Sequence, residues 1–170
     1  MSSIPEFGEL LAGAQRSAVH LETRDSYFTN PRLEAWQKGE RIDWDDRASW
    51  WQPFHDQIAD AVARGVRVRR ARVVSEPVTE YIRWEHYVTH SNVAAGEQVR
   101  WLSRRDAGGV LLPANDFWIF DGKLMRVHHF SGDGDWLGKE LREGAEVELY
   151  AAAFETIWDC ATPHAEYEVK

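Results

Sequence analysis

The 170-residue sequence predicts an α/β domain built on a mixed sheet, and three observations carry that prediction. A β-branched run, Val66 to Val74, is entered from an amphipathic segment that stops at Gly65, which is the grammar of an α/β unit. Two apolar pieces, "DFWIF" and "KLMRVHHF", flank Asp121-Gly122, the strongest short-range hairpin signal a sequence offers. Elsewhere, helical and strand periodicities alternate along the chain. A chain of this length with 44% hydrophobic residues buries one good core and is too short for two ordinary domains. Residues 1–170 are therefore read as a single α/β domain, a mixed sheet with a C-terminal β-hairpin and flanking helices.

The elements follow in order. Phe7, Leu10, Leu11 and Ala14 recur at helical spacing behind Pro5, predicting a helix over 6–15. "AVHLETR" alternates as a strand does. "NPRLEAWQKG" carries an Asn cap, a Pro at the first position and a Gly stop, the punctuation of a short helix. From Asp46, the residues Trp50, Phe54, Ile58, Ala61 and Val62 mark one amphipathic helix ended by Gly65. After the strand at 66–74, Val78, Tyr81, Ile82 and Glu85 predict a helix from Pro77 to about His90, and "EQVRWLSR" reads as the next strand. Beyond the hairpin, Asp133 and Asp135 read as turn residues, with Asp135 or a neighbour capping a short helix at "WLGKELRE". Val147, Tyr150, Ala151, Phe154 and Trp158 share one face of a closing helix.

Composition removes several function classes. The formal charge of -8 opposes direct nucleic-acid binding, which draws its affinity from phosphate neutralisation. No apolar run spans a membrane, and the N-terminus lacks a signal-peptide pattern, so a cytoplasmic protein is expected. Cys160, the single cysteine, excludes an internal disulfide or a multi-cysteine zinc site and reads as a small buried hydrophobe. No metal or cofactor is expected. Positive charge is concentrated at Arg64, Arg67, Arg69, Arg70 and Arg72, a segregation that suits a protein partner or a small anion.

Two candidate surfaces emerge. The arginine strand runs through Glu76-Pro77 into a helix bearing Tyr81, Arg83 and Trp84, and the end of a strand leading into a helix is where open α/β sheets bind anions. Arg70, Arg72, Glu76 and Arg83 thus form the candidate ligand set; the plainer alternative is a solvated arginine edge. Trp118, His128 and His129 join the set through the hairpin. His128 and His129 are neighbours on a strand, so they point to opposite faces and cannot ligate one metal together. Asp121 reads as a turn residue rather than an acid. The second surface is aromatic: Trp44 and Trp51, rimmed by Asp43, Asp45, Asp46 and Arg47, have the composition of a partner-binding hot spot, against the alternative that they close the domain's own core. Catalytic motifs are missing: there is no G-x-S-x-G elbow, Walker loop or G-x-G-x-x-G.

"FGELL", "AVHLETRDSY", "GVRVRRARVVSEPVTEYIRWE", "FWIFDGKLMRVHHF" and the closing "WDCATP" together resemble a family of uncharacterised actinobacterial proteins often encoded beside helix-turn-helix regulators. The resemblance covers nearly the whole chain and implies a regulatory setting without implying an activity. The order of helix, strand, helix, strand and apolar strand ending in "IFDG" also resembles the phospholipase D half-domain, whose H-x-K-x-x-x-x-D motif supplies a histidine nucleophile and a phosphate-holding lysine. Laid on Asp121, those positions fall on Ala114 and Asp116, so the resemblance implies a scaffold without its phosphodiesterase chemistry. The expectation is a non-enzymatic regulatory protein working with a protein partner such as a helix-turn-helix regulator. The alternative is a small anionic-ligand sensor or enzyme using the arginine strand with His128 or His129.

Overall fold

Seven strands carry the molecule: β1 (Ser17–Glu22), β2 (Arg67–Val74), β3 (Gln98–Ser103), β4 (Asp116–Phe120), β5 (Leu124–Phe130), β6 (Trp136–Glu143) and β7 (Thr162–Pro163). They lie in one sheet, in the order β6-β5-β4-β1-β2-β3-β7. The pairs β1/β2 and β2/β3 are parallel and the rest antiparallel, so the sheet is mixed. The computed structural model describes residues 4–28 and 30–170. The helices are α1 (Phe7–Gly13), α2 (Pro31–Gln37), α3 (Arg47–Trp50), α4 (Pro53–Ala63), α5 (Glu80–Ala94) and α6 (Ala145–Cys160).

Strand alternation divides the sheet into two unlike faces. Odd-numbered Val19, Leu21, Ala71, Val73, Phe117, Ile119, Met125 and Val127 are buried against Val147, Phe154, Ile157 and Trp158 of α6. This is the dry core. On the other face, Ala18, Val68, Trp118 and Phe120 meet Leu10 and Leu11 of α1 and Ile58 and Ala61 of α4. Further along that face the apolar lining gives way to charge.

Several local signals act as their chemistry requires. Asn30 Oδ1 accepts from the N–H groups of Arg32 and Leu33, capping α2 ahead of its Pro31. Asp121 and Gly122 turn the β4–β5 hairpin with φ of 53° and 69°, the left-handed pair of a type I′ turn. The Asp121 carboxylate also accepts from the backbone N–H groups of Gln15, Arg16 and Ser17, which ties the hairpin to the start of β1.

The structure corrects four expectations. The helix expected from Asp46 is two helices, because Gln52 precedes Pro53 and is held extended at φ -117° and ψ 157°. The helix expected from Pro77 starts at Glu80, where Thr79 Oγ1 accepts from the Ile82 N–H, and continues to Ala94 before Gly96 at φ 99° ends it. "WLGKELRE" is not a helix capped by Asp135 but the edge strand β6: Gly138 at φ 133° is incompatible with a helix, and the segment ladders along β5 from Phe130↔Trp136 to Leu124↔Glu143. Cys160 is exposed, because Ile157 and Trp158 occupy the buried side of the last turn of α6.

Candidate functional site

Polar residues two apart in apolar strands share a face, and here four strands aim such pairs the same way. These are His20 and Glu22 on β1, Arg70 and Arg72 on β2, Asp116 and Trp118 on β4, and Arg126 and His128 on β5. The register aligns Arg126, Trp118, His20 and Arg70 in one row across the sheet, with Asp116 opposite His128 and Glu22 opposite Arg72 in the next.

Glu22 is the hub. Its carboxylate accepts from Arg70 Nη1 at 2.7 Å and Arg72 Nε at 2.5 Å, and His20 Nε2 lies 2.9 Å away. Arg70 Nε also donates to Glu97 at 2.6 Å, and Asn92 supports Glu97 at 2.8 Å. Arg72 donates to the Thr89 hydroxyl and reaches Glu85 at 3.4 Å. Because α5 lays Glu85, Thr89 and Asn92 along this face, the expected solvated arginine edge is instead a buried network, with Arg70 7% and Arg72 4% exposed. Arg69 points to the opposite face and forms a two-bond pair with Glu155 of α6.

Burial by itself would raise the Glu22 pKa, but Arg72 and Arg70 outweigh it and hold the carboxyl well below the usual range. Glu85 is buried with less compensation, and desolvation pushes its pKa up to about 7. Asp116 is raised by burial too, although the Tyr27 hydroxyl donates to one carboxylate oxygen and Thr23 N–H and Oγ1 donate to the other.

Two chambers open over this floor and share His20 and His128. The first, about 460 Å³, is lined by Arg32, His55, Arg70, Arg72, Trp118 and Arg126 among others. The second, about 650 Å³, has Glu22, Glu85 and Asp116 in its wall and the rings of Tyr27, Phe28, Tyr81, Phe130 and Trp136 around them. Among the described residues, four buried atoms at these chambers have no hydrogen-bond partner: Arg126 Nε and Nη1, His128 Nε2 and Glu85 Oε2. Among the described residues, neither Arg32 nor Arg126 has a carboxylate within salt-bridge distance. Desolvation lowers the pKa of both. It also drives His128 down to about 3, so that imidazole is neutral.

Of the residues singled out from the sequence, Arg70, Arg72, Trp118 and His128 meet in the first chamber. His129 points to the other face and pairs with Glu140 at 3.3 Å, as strand alternation requires. Glu76 lies apart, accepting from the Tyr167 hydroxyl at 2.9 Å, and Arg83 is exposed on α5; neither lines a chamber. Trp44 and Trp51 are half-buried rather than open. Trp44 stands against Trp50, Tyr87 and His90, while Trp51 packs on Trp50, donates to Asp56 and lies under Arg47. Sequence reasoning missed His20, Arg32, His55 and Arg126 altogether. The signal for three of the four strands was the repeated pattern of two polar residues separated by one apolar residue: His20-x-Glu22, Arg70-x-Arg72 and Arg126-x-His128.

Residues 5–169 match the family model of a domain of unknown function, DUF6879. The chain belongs to the DUF6879 family. No curated protein matches the sequence. Among solved structures, Nuc from Salmonella typhimurium, a phospholipase D family member, is similar at TM-score 0.47 and 14% identity, over 92% of this chain and 86% of that one. TrmBL2, an archaeal chromatin protein with a novel mode of DNA binding, is similar at TM-score 0.50 and 13% identity, over 92% of this chain and 47% of that one. The DUF6879 chain has a mixed α/β fold, and its structural neighbours include a phospholipase D family member. No helix among its described residues is long and apolar enough to cross a membrane.

Proposed function

We propose that this DUF6879 protein is a non-catalytic regulatory module that binds a small anionic ligand in the paired chambers. One observation carries the reading: among the described residues, Arg126 holds two buried N–H donors with no acceptor, in a chamber also lined by Arg32, which no described carboxylate meets. A buried charged donor left unsatisfied costs upwards of about 1–3 kcal/mol, and an anion in the chamber removes that cost. Arg70 and Arg72 serve differently. Their charges are met by Glu22, Glu85 and Glu97, so they brace the floor while Arg32 and Arg126 remain for the ligand.

The non-catalytic part of the reading is supported by the sequence register, in which Ala114 and Asp116 stand where phospholipase D chemistry needs histidine and lysine. The regulatory part takes the cytoplasm as its setting and the expected helix-turn-helix protein as the partner that senses occupancy. Leu137, 66% exposed and next in sequence to the chamber-lining Trp136, is an apolar contact such a partner would cover.

Thermal melting with increasing inorganic phosphate tests the anion site. A ligand at ~100 times its Kd adds ~2.7 kcal/mol, a rise of several degrees in Tm for a domain of this size. The rise is expected in the wild type and is expected to vanish in Arg126→Met and Arg32→Met. An equal rise in all three proteins, or none in the wild type with either phosphate or acetate, refutes the reading.

A further inference from the structure

We propose that the ligand is a nucleoside 5′-monophosphate whose base carries an amino group, an assignment that rests on the anion-site reading above. The unpartnered atoms are of two kinds and lie at two ends. In the first chamber they are donors, Arg126 Nε and Nη1, and Arg32, which no carboxylate among the described residues meets, lines the same chamber. Two unpaired guanidiniums match the two charges of a phosphate monoester, and their planar forks suit its oxygens. A triphosphate brings more negative charge than two cations balance, beside a floor that already holds Glu22.

In the second chamber the unpartnered atom is Glu85 Oε2, which accepts once the carboxyl ionises above about pH 7, and the wall around it is aromatic. An acceptor among rings is met by a flat group bearing N–H, which is what an amino-substituted base presents. Phe130 and Trp136 stand edge to face at 5.2 Å, and Trp136 is 48% exposed, leaving ring surface for a base to cover. His128 lines both chambers, and its neutral Nε2 is unpartnered, so it faces the sugar that joins phosphate to base. Each chamber alone, about 460 and 650 Å³, falls in the range of small-molecule sites, so a bipartite ligand fits without enlargement of either. A ligand with only one end satisfies only one set of atoms.

Titration calorimetry on the full chain tests this with AMP, CMP and GMP, and with the fragments adenosine, ribose 5-phosphate and inorganic phosphate. At least one nucleotide is expected to bind tenfold or more tighter than either of its halves. Arg126→Met is expected to weaken AMP at least tenfold while leaving adenosine unchanged. Trp136→Ala, at an exposed ring, is expected to weaken AMP and adenosine alike and to leave ribose 5-phosphate unchanged. Purine riboside 5′-monophosphate, which lacks the amino group, is expected to bind about tenfold more weakly than AMP.

Nucleotides that bind no tighter than ribose 5-phosphate overturn the nucleotide assignment and leave the anion site standing. Adenosine binding that phosphate does not improve overturns both. A free amino acid binding where no nucleotide does also overturns the assignment.

Discussion

Glu22→Gln is the sharpest perturbation of the buried network. The substitution keeps size and shape but removes the charge that Arg70 Nη1 meets at 2.7 Å and Arg72 Nε at 2.5 Å, with the three side chains 5–13% exposed. The consequences differ for the two arginines. Arg70 retains Glu97 at 2.6 Å, whereas Arg72 is left with the Thr89 hydroxyl and Glu85 at 3.4 Å. Removing one partner of a buried pair costs ~3–5 kcal/mol, and since Arg70 keeps a carboxylate, the lower half of that range, about 3–4 kcal/mol, is expected. That is a large part of the ~5–15 kcal/mol by which most domains are stable. Urea denaturation at pH 7, followed by circular dichroism, measures it as a lower midpoint at unchanged slope. Glu155→Gln is the control: its pair with Arg69 is as short, at 2.6 Å, but Glu155 is 55% exposed, so a loss below ~1 kcal/mol is expected. Acid provides a second check. The Glu22 pKa is depressed in the fold, so its contribution is complete above the ordinary value of 4.5 and disappears as pH falls through the folded value. The gap between wild type and Glu22→Gln should narrow at low pH. A Glu22→Gln loss no larger than that of Glu155→Gln refutes the hub.

The other predictions concern single side chains. Glu85 has its pKa raised to about 7, so the folded state keeps a proton that the unfolded chain releases above 4.5; the stability advantage of wild type over Glu85→Gln should fall by about 3 kcal/mol between pH 4.5 and 7, read from paired urea melts. Phe154→Ala, at a fully buried ring under the sheet, should cost ~3–5 kcal/mol in the same assay. Trp44→Ala and Trp51→Ala should each lower Tm by several degrees, because both rings pack inside the domain; normal melting with loss of partner capture would restore their reading as a contact surface. Hydrolysis of bis(p-nitrophenyl) phosphate should be undetectable, and turnover abolished by His128→Ala would overturn the non-catalytic reading.

Local signals made much of the architecture legible. The run 66–74 could only be a strand, because β-branched side chains fit a pleat, and Asp121-Gly122 fixed a hairpin because only such residues hold two consecutive positive φ values cheaply. Gly65 ended a helix and Asn30 began one, each through backbone chemistry confined to a few neighbouring residues. The edge strand β6 was illegible for the complementary reason. "WLGKELRE" has no strong propensity of its own, and β5 offering it a free edge is a fact of tertiary structure. Pro53 was legible in principle, since it forbids helix at Gln52, but the apolar spacing of Trp50, Phe54 and Ile58 continues across the break and masks it.

The site divides the same way. The sequence by itself determined that His128 and His129 part to opposite faces, that Arg70 and Arg72 share one, and that the positive charge is local, because alternation and composition are properties of the chain alone. Only the tertiary structure decided what those charges meet. Glu22 lies 48 residues from Arg70, and Glu155 lies 86 from Arg69, so nothing in the local pattern says which arginine is neutralised. Partnering is set by sheet order and by the helix laid over each face. The same ordering that gives Arg70 and Arg72 their carboxylates leaves Arg126 on β5 without one, because its neighbours in the row are Trp118 and Leu141.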